Sequence, residues 1–293
     1  MWSPSEGQLL ALAAALRLAM IGVAEVQDMM AEVPYTDVDY RVFSEAAENV
    51  ALGLSPYEGR TPLLEAEATR YRYTPLLAYI LLPNIWLHRA WGKLLFSGLD
   101  LVAAVILRKW LHRFAGKDVA TTKAALGLWL FNPFCFTIST RGSGESVVVV
   151  LLYSCFAELH MRRAWFTSGV LFGIAVHWRL YPIVYALPMV LELGRGNRGL
   201  WRLIHWYAVR LGVVAAATFV SLGALFFALY GWDFLEGSYL YHGRRSDPRH
   251  NFSIYFLPAA LHLEGRFPDI VRWAAIPQLG LCVWTGWSAA LHG

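Results

Sequence analysis

The chain contains 293 residues, of which 57% are hydrophobic and 16% charged, with a formal net charge of +4. Its mean hydropathy of +0.43 exceeds what a soluble domain needs to fill one core, so the surplus apolar surface has to face lipid. There is no basic cluster typical of nucleic-acid binding. Cys135, Cys155 and Cys282 lie in apolar stretches and show neither metal-site spacing nor the pattern of a disulfide framework.

Apolar stretches long enough to cross a bilayer recur along the whole chain. The first contains Arg17 and has no preceding basic segment, so we expect a retained span and not a cleaved signal peptide. The stretch 164–193 is too long for one crossing and contains polar residues, which predicts a hairpin of two short helices. A shorter piece, 75–88, is predicted to be re-entrant or interfacial. The predicted spans lie at about 8–24, 92–108, 124–138, 147–160, 164–193, 207–230 and 271–291.

The charges of the connecting segments predict which side of the membrane each one faces. Residues 108–117 and 192–206 are rich in Lys and Arg, which is typical of cytoplasmic loops. Residues 25–74 are rich in acids and should form a long loop on the non-cytoplasmic side, as should 231–270. With one net crossing in 75–107 and two in 164–193, five polar motifs share that face, which predicts one site. These motifs are Asp37–Asp39, Arg70–Pro75, Arg141–Glu145, His177–Pro182 and Arg244–Ser253.

Asp37 and Asp39 are the strongest candidates for chemistry. An alternating backbone would aim both carboxylates to the same side. Paired acids can hold a divalent cation that grips a phosphate, or one can remove a proton from an attacking hydroxyl. The alternative is a solvated acidic loop, although carboxylates beside hydrocarbon are costly to keep without a use.

The cationic and aromatic motifs are typical of phosphate and sugar recognition. Arg70 and Arg72 match phosphate oxygens, and Tyr73 offers a flat ring, although an interfacial belt with snorkelling arginines explains them too. Arg141 to Glu145 should precede a helix whose N-terminal amides favour anions; a turn capped by Ser146 is the alternative.

Ionisable side chains interrupt the apolar stretch 164–193. His177, Arg179 and Tyr181 should lie at the tip of the predicted hairpin, and intramembrane ionisable groups are functional candidates. Farther on, Arg249, His250 and Asn251 belong to a basic stretch. That stretch is either part of the site or a solvated loop, with Asn251-Phe252-Ser253 fitting a glycosylation acceptor.

Ten short motifs occur in a characteristic order. In the first third they are Tyr-Thr-Asp-Val-Asp-Tyr at 35–40, Gly-Leu-Ser-Pro-Tyr at 53–57, Arg-Tyr-Thr-Pro-Leu-Leu at 72–77, Pro-Asn-Ile at 83–85 and Gly-Lys-Leu-Leu-Phe at 92–96. Later come Asn-Pro at 132–133, Ser-Thr-Arg-Gly at 139–142, Ala-Val-His-Trp-Arg-Leu-Tyr-Pro at 175–182, Tyr-Gly-Trp-Asp-Phe-Leu-Glu at 230–236 and Arg-His-Asn-Phe-Ser at 249–253. This ordered set resembles the catalytic subunit of GPI mannosyltransferase I, the PIG-M family of multispanning endoplasmic-reticulum enzymes.

The resemblance implies transfer of the first mannose, in α-1,4 linkage, from dolichol-phosphate-mannose to glucosaminyl-phosphatidylinositol on the lumenal leaflet, with inversion. It also implies a GT-C fold: an all-α, polytopic transmembrane helix bundle, here one integral membrane domain over residues 1–293. A small single-span stabilising subunit is an expected partner. The family's Asp-x-Asp motif falls on Asp37 and Asp39. The family usually has Lys or a similar cation at Arg179, and its members continue well past the position of Gly293.

Inversion requires one base on the acceptor side and no covalent intermediate. We expect Asp37 to be that base, with Asp39 orienting it or binding a cation. Arg72, Arg179 and Arg249 are expected to contact phosphate. No metal or other cofactor is required by this chemistry, although a divalent cation could be held at the aspartate pair. Two other hypotheses are an inactive truncated relative and a membrane transporter, for which Arg179 and the broken helices would line a path.

Overall fold

The computed structural model describes residues 4–65, 69–113, 116–162, 164–194, 204–244, 256–263 and 270–292. Every regular element within these ranges is helical, which confirms the all-α prediction. The charged loop segment 195–203 and the candidates Arg249, His250 and Asn251 lie outside the described residues.

The first helix and the long connection after it form the N-terminal part. Helix α1 begins with a capping box, in which the side chains of Ser5 and Gln8 each accept from the other residue's backbone N–H. The connection predicted as a lumenal loop is itself largely folded, and proline occupies the first position of α4 and α5, where its missing N–H costs nothing. The helices are α1 (Glu6–Met30), α2 (Val38–Ala51), α3 (Pro62–Glu65), α4 (Pro75–Ile80) and α5 (Pro83–Trp86).

The central part corrects one predicted span. The apolar stretch 124–138 is not one helix, because Pro133 cannot donate to the preceding turn and Asn132 caps a new helix by accepting from the N–H of Phe134. The new helix then meets α9 at 117°. The elements are α6 (Trp91–Arg113), α7 (Val119–Leu130), α8 (Pro133–Thr140) and α9 (Glu145–Arg162).

The predicted break in 164–193 is confirmed, since α10 ends at Trp178 and Arg179 has an extended backbone. Farther on, α12 is kinked at Gly231, whose φ of 59° is readily adopted only by glycine. The chain then runs through a π-helical turn, Glu236–Leu240. The remaining elements are α10 (Trp165–Trp178), a 3₁₀ turn (Tyr181–Tyr185), α11 (Ala186–Leu193), α12 (Trp206–Leu235), α13 (Tyr241–Arg244), α14 (Phe256–Leu263) and α15 (Ile270–His292).

Length and apolar composition support a membrane protein. In the described part of the chain, two helices, Glu6–Met30 and the continuous stretch Trp206–Leu240, are long and apolar enough to cross a bilayer. The bent pair α8–α9 would be a third if it forms one broken span. Four shorter apolar helical stretches accompany them: Pro75–Trp86, Val119–Leu130, Trp165–Trp178 and Tyr181–Leu193.

The core lies where α2, α4, α6, α9 and α10 meet, and its largest buried side chains include Phe43, Tyr71 and Phe96. Helices α10 and α12 approach closely because glycine stands at the contact. A Cβ at Gly173 would lie 2.5 Å from the carbonyl oxygen of Ala215. This packing holds the C-terminal half of α10 in place, and therefore also the polar segment 177–182 at its end.

Candidate functional site

The aspartate pair lies at the N-terminus of α2. Asp37 is the N-cap residue and Val38 begins the helix, so the two carboxylates do not project from an alternating backbone and that prediction is wrong. The reason is local: Asp is a favoured N-cap residue, and a helix here places Asp39 in the first turn, where a negative charge is stabilised by the helix dipole. The Asp37 carboxylate makes no hydrogen bond with any residue that the structure describes.

The loop before α9 holds this helix end in place. The backbone N–H of Asp37 donates to the carbonyl of Arg141 at 3.1 Å. Gly142 has a φ of 97° and packs directly against the buried ring of Tyr40. A Cβ at this position would lie 2.3 Å from the Cδ2 atom of Tyr40. The Tyr40 hydroxyl donates to the carbonyl of Arg89 at 2.7 Å, and burial raises the pKa of Tyr40 to about 12. Two predicted motifs, 37–39 and 141–145, are thus adjacent.

Tyr73 connects these motifs to the segment after α10. Its hydroxyl donates to Asp39 Oδ2 at 2.6 Å, and the guanidinium of Arg179 lies over its ring at 4.6 Å. Burial, and then the Asp39 carboxylate, raise the pKa of Tyr73, so the hydroxyl stays protonated and continues to donate. Glu145 accepts from both Arg179 (3.0 Å) and Tyr181 (3.2 Å). The result is a charged network: Asp39 is bound to the hydroxyl of Tyr73, Arg179 lies on the face of its ring, and Glu145 pairs with Arg179.

His177 is a second connecting residue and is 2% exposed. Its Nε2 atom lies 2.8 Å from the hydroxyl of Thr74, and its Nδ1 atom lies 2.7 Å from the hydroxyl of Tyr239. The ring stacks on Phe226 with centroids 5.6 Å apart. Both ring nitrogens are therefore occupied, so His177 joins the loop after α3, α10 and the π-helical turn, and its buried ring is not a free general base.

The kink at Gly231 brings the π-helical turn against the same loop. Ser238 donates to the carbonyl of Tyr73 at 2.9 Å. The Tyr57 hydroxyl forms hydrogen bonds with the same carbonyl and with the Ser238 hydroxyl. The cation of Arg72 lies 3.8 Å from the ring centroid of Tyr241. The basic motif that begins at residue 244 therefore starts beside the cavity, although its later residues lie outside the described part of the chain.

These contacts enclose a cavity of about 260 Å³ with a mixed polar and apolar wall. Of the predicted residues, the side chains of Arg70 and Arg141 are exposed and do not line it. Asp39 and Glu145 lie one contact away, through Tyr73 and Arg179. Within the described ranges no three His, Cys, Asp or Glu side chains cluster in a way that could hold a metal ion. The lining residues are Arg72, Tyr73, Thr74, His177, Trp178, Arg179, Leu180, Tyr181, Ser238, Tyr239 and His242.

Several contributors were not predicted as site residues, among them Tyr57, Thr74, Ser238 and Tyr239. Tyr57 and Thr74 belong to ordered motifs of the sequence, but a hydroxyl that supports another side chain gives no signal of its own. Ser238 and Tyr239 follow the Gly-Trp-Asp segment at 231–233. Gly231, in the middle of an otherwise helical pattern, was the indication in the sequence that α12 bends here.

A larger apolar cavity of about 580 Å³ begins beside the polar one. It lies between α10, α11 and α12, and Leu180 lines both cavities. Its wall is almost entirely aliphatic and aromatic, including Phe172, Val190 and Phe219. A molecule with a polar end and a long apolar end would fit across the two cavities.

Comparisons with known proteins show the family of the chain. The family model described as mannosyltransferase (PIG-M) matches residues 138–291. The chain is 42% identical over 252 residues to the GPI α-1,4-mannosyltransferase I catalytic subunit of Danio rerio, and the match covers 85% of the chain and 62% of that relative. It is 40% identical to GPI mannosyltransferase 1 of Eremothecium gossypii, covering 94% of the chain and 66% of the relative.

A third relative, GPI mannosyltransferase 1 of Saccharomyces cerevisiae, is 36% identical over 270 residues, covering 89% of the chain and 63% of that protein. The chain thus spans between 62% and 66% of the length of these three relatives. The family-model match covers more than half of the chain, and each of the three relatives matches at least 85% of it. On these matches, the chain belongs to the PIG-M mannosyltransferase family, whose members are membrane glycosyltransferases of the GT-C type.

Proposed function

We propose that the protein transfers the first mannose, in α-1,4 linkage, from dolichol-phosphate-mannose to glucosaminyl-phosphatidylinositol, with inversion at the anomeric carbon. Because the chain spans 62% and 66% of the length of the first two relatives, the activity, substrates and partners of the whole enzyme are all part of the proposal. The relatives carry the name GPI mannosyltransferase. The observation that carries the proposal is the convergence of Asp37, Asp39 and Arg179 from distant segments on one rim of the bundle.

The two aspartates differ in their surroundings, and that difference supports separate roles. Asp39 accepts from Tyr73, whereas the Asp37 carboxylate has no hydrogen-bond partner among described residues. A free carboxylate can accept a proton from an acceptor hydroxyl. We therefore assign Asp37 as the base and Asp39 as the group that orients the helix end, or that holds a divalent cation together with Asp37. The transfer itself requires no metal.

In the proposed step, the acceptor oxygen attacks the anomeric carbon of mannose as the bond from that carbon to the phosphate oxygen breaks. Asp37 takes the proton of the attacking hydroxyl, and the phosphate leaves with the bonding electrons. Arg72 and Arg179, both in the wall of the polar cavity, would stabilise the developing negative charge of the leaving phosphate. Glu145 keeps Arg179 oriented before the donor binds.

The adjacent apolar cavity supports a lipid-borne donor. Its volume of about 580 Å³ and its almost wholly apolar wall suit part of a polyprenyl chain. Because Leu180 borders both cavities, a chain lying there would place its phosphate next to Arg179. A water-soluble nucleotide-sugar donor would gain nothing from this cavity.

The proposal includes the setting of the reaction. We place the protein in the endoplasmic-reticulum membrane, with the rim of the bundle that carries Asp37 and Asp39, the aspartate rim, facing the lumen. The acid-rich connection 25–74 supports this orientation. A small single-span subunit is the proposed protein partner. Arg249, His250 and Asn251 remain proposed contributors to substrate binding from the segment that follows the cavity.

Complementation of cells that lack GPI mannosyltransferase I tests the proposal. Cells expressing the full protein with Asp37→Ala should accumulate unmannosylated precursor and lose GPI-anchored proteins from the surface. Asp118→Ala is the control, because Asp118 is likewise the N-cap residue of a helix, α7, and contacts none of these residues; unlike Asp37, its side chain accepts from the N–H of Thr121. Normal mannosylated precursor with Asp37→Ala would refute the assignment of the base.

A further inference from the structure

The far end of α6 has a basic cleft against α9. The cleft has a volume of about 600 Å³ and lies in the segment predicted to be cytoplasmic. From Lys93 to Arg113 the helix rises roughly 30 Å, so the cleft is not part of the site described above. Its lining residues are Ile106, Arg108, Lys109, His112, Arg113, Ser154, Ala157 and Glu158.

An apolar cavity of about 360 Å³ lies next to the basic cleft, between the same two helices. Ile106 lines both spaces, so they share a wall. The apolar cavity is bounded by side chains that suit a hydrocarbon chain and its glycerol region. Its lining residues are Ile106, Leu107, Trp110, Tyr153, Phe156 and His160.

The charges around the cleft favour an anion. Glu6 from α1 pairs with Arg108 at 3.3 Å and with His112 at 3.1 Å, and Glu158 is the acid of α9 in the wall. Lys109 and Arg113 are exposed and make no ion pair with a residue that the structure describes. In addition, the Nε atom of Arg108 is buried without a hydrogen-bond partner. The cationic side chains around the cleft therefore outnumber the acidic ones, and hydrogen-bond donors are available to an anionic ligand.

We infer that the two cavities form a binding site for an anionic phospholipid of the surrounding bilayer. Its phosphate would accept hydrogen bonds from the α6 cations, and one acyl chain would occupy the apolar cavity. Cations near a helix C-terminus also offset the helix dipole, and cytoplasmic loops are generally basic. Neither effect accounts for an apolar, chain-sized cavity that opens beside the charges.

Native mass spectrometry of the full protein tests this site. Protein in detergent is supplied with equal amounts of phosphatidylserine and phosphatidylcholine, neither of which is a substrate in the proposed transfer. The unmodified protein should retain phosphatidylserine preferentially, and Lys109→Gln with Arg113→Gln should reduce that preference roughly tenfold. Lys117→Gln is the matched control, because Lys117 is exposed just beyond α6 and does not line the cleft.

A second variant tests the apolar half. Leu107→Trp fills the apolar cavity and should weaken retention of phosphatidylserine while leaving all the charges in place. Equal retention of the two lipids by the unmodified protein, or an equal loss in Lys117→Gln, would overturn the inference. So would displacement of the lipid by millimolar inorganic phosphate, which would make the cleft a site for a free anion. Mannosyl transfer is not measured in these assays, so failure of the proposed function would not alter them.

Discussion

Tyr73 donates a hydrogen bond of 2.6 Å to the carboxylate of Asp39, and the two residues come from segments 34 positions apart. The same ring carries the guanidinium of Arg179 on its face. A single phenol therefore sets the distance between the acidic helix end and the cationic segment. Since both groups are needed in the proposed transfer, the phenol is a positioning residue for that reaction.

Tyr73→Phe keeps the ring under Arg179 and removes only the hydrogen bond to Asp39. Because a hydrogen bond to a charged group contributes about 1.5–3 kcal/mol, we expect kcat to fall roughly tenfold or more with a smaller change in KM. Steady-state assays with a dolichol-phosphate-mannose analogue measure both constants. Tyr35→Phe is the matched control, since its hydroxyl bonds to Thr140 and not to a carboxylate. Unchanged kcat in Tyr73→Phe would contradict the positioning role.

Arg179→Lys tests whether charge alone suffices at this position. A lysine cannot both pair with Glu145 and stack on Tyr73, because its ammonium is compact and lacks the planar fork of a guanidinium. The family usually has Lys or a similar cation here, but in this chain Glu145 and Tyr73 are placed to contact a guanidinium, so we expect transfer to drop at least tenfold, with an increase in KM for the donor. Arg210→Lys provides the comparison, because Arg210 also stacks on aromatic rings, Trp165 and Trp206, away from the cavity. If both variants behaved alike, the geometry at Arg179 would be irrelevant to donor binding.

Much of the site could be predicted because its residues interrupt apolar patterns. The polar segment 177–182 inside a long apolar stretch indicated a break, and α10 does end at Trp178. The glycines after Arg141 indicated a turn before a helix, and α9 does begin at Glu145. Local chemistry determines these features, so one sequence is enough to locate them.

The remaining features depend on partners far away in the chain. The backbone at Asp37 was predicted as alternating, but it caps a helix that is held by the carbonyl of Arg141. His177 was predicted as a polar residue at a hairpin tip, but Thr74 and Tyr239 occupy both of its nitrogens. Neither contact has a sequence spacing that periodicity could show.

Gly142→Ala should disturb the aspartate rim without altering any charge. Alanine is strained at φ of 97°, and its Cβ would overlap the buried ring of Tyr40. Together these effects should cost about 3 kcal/mol of folding free energy. Thermal unfolding in detergent measures the loss. Gly144→Ala is the control, since its Cβ would lie 3.4 Å from Trp178, an ordinary contact; equal stability of the two variants would refute the steric argument.

Lys93 lies in a buried charge network at the end of α1. It is 2% exposed and pairs with Glu25 at 3.2 Å and Asp28 at 3.5 Å. Asp28 in turn accepts from the backbone N–H of Thr36, the residue before Asp37. This network therefore anchors the backbone that leads into the aspartate pair.

Lys93→Met should leave the Asp28 carboxylate without its cation and Glu25 with the exposed Arg89 alone, and should cost about 2 kcal/mol of folding free energy. Arg89→Met is an internal control, because Arg89 pairs with the same Glu25 but its side chain is 58% exposed. For that exposed pair we expect a loss of less than about 1 kcal/mol. Chemical or thermal unfolding measures both variants, and a larger loss in Arg89→Met would reverse the ranking by burial.

Arg17 and Asp100 form a buried ion pair between α1 and α6, and both side chains are almost inaccessible. Arg17 also donates to the carbonyls of Ala13 and Leu130 at 3.0 and 3.1 Å, so it links α1 to α7 as well. Arg17→Met alone would leave a carboxylate uncompensated in an apolar surrounding, and should cost about 3–5 kcal/mol.

Adding Asp100→Leu to Arg17→Met should recover part of this loss, because the isolated charge is removed while the carbonyl of Leu130 still lacks its donor. A double-mutant cycle by thermal unfolding in detergent therefore has to show a coupling energy of opposite sign to the single losses. Strictly additive losses would mean that the pair does not hold α1 against the bundle. Activity should follow the stability of each variant, since the pair lies far along α1 from Glu25 and the aspartate rim.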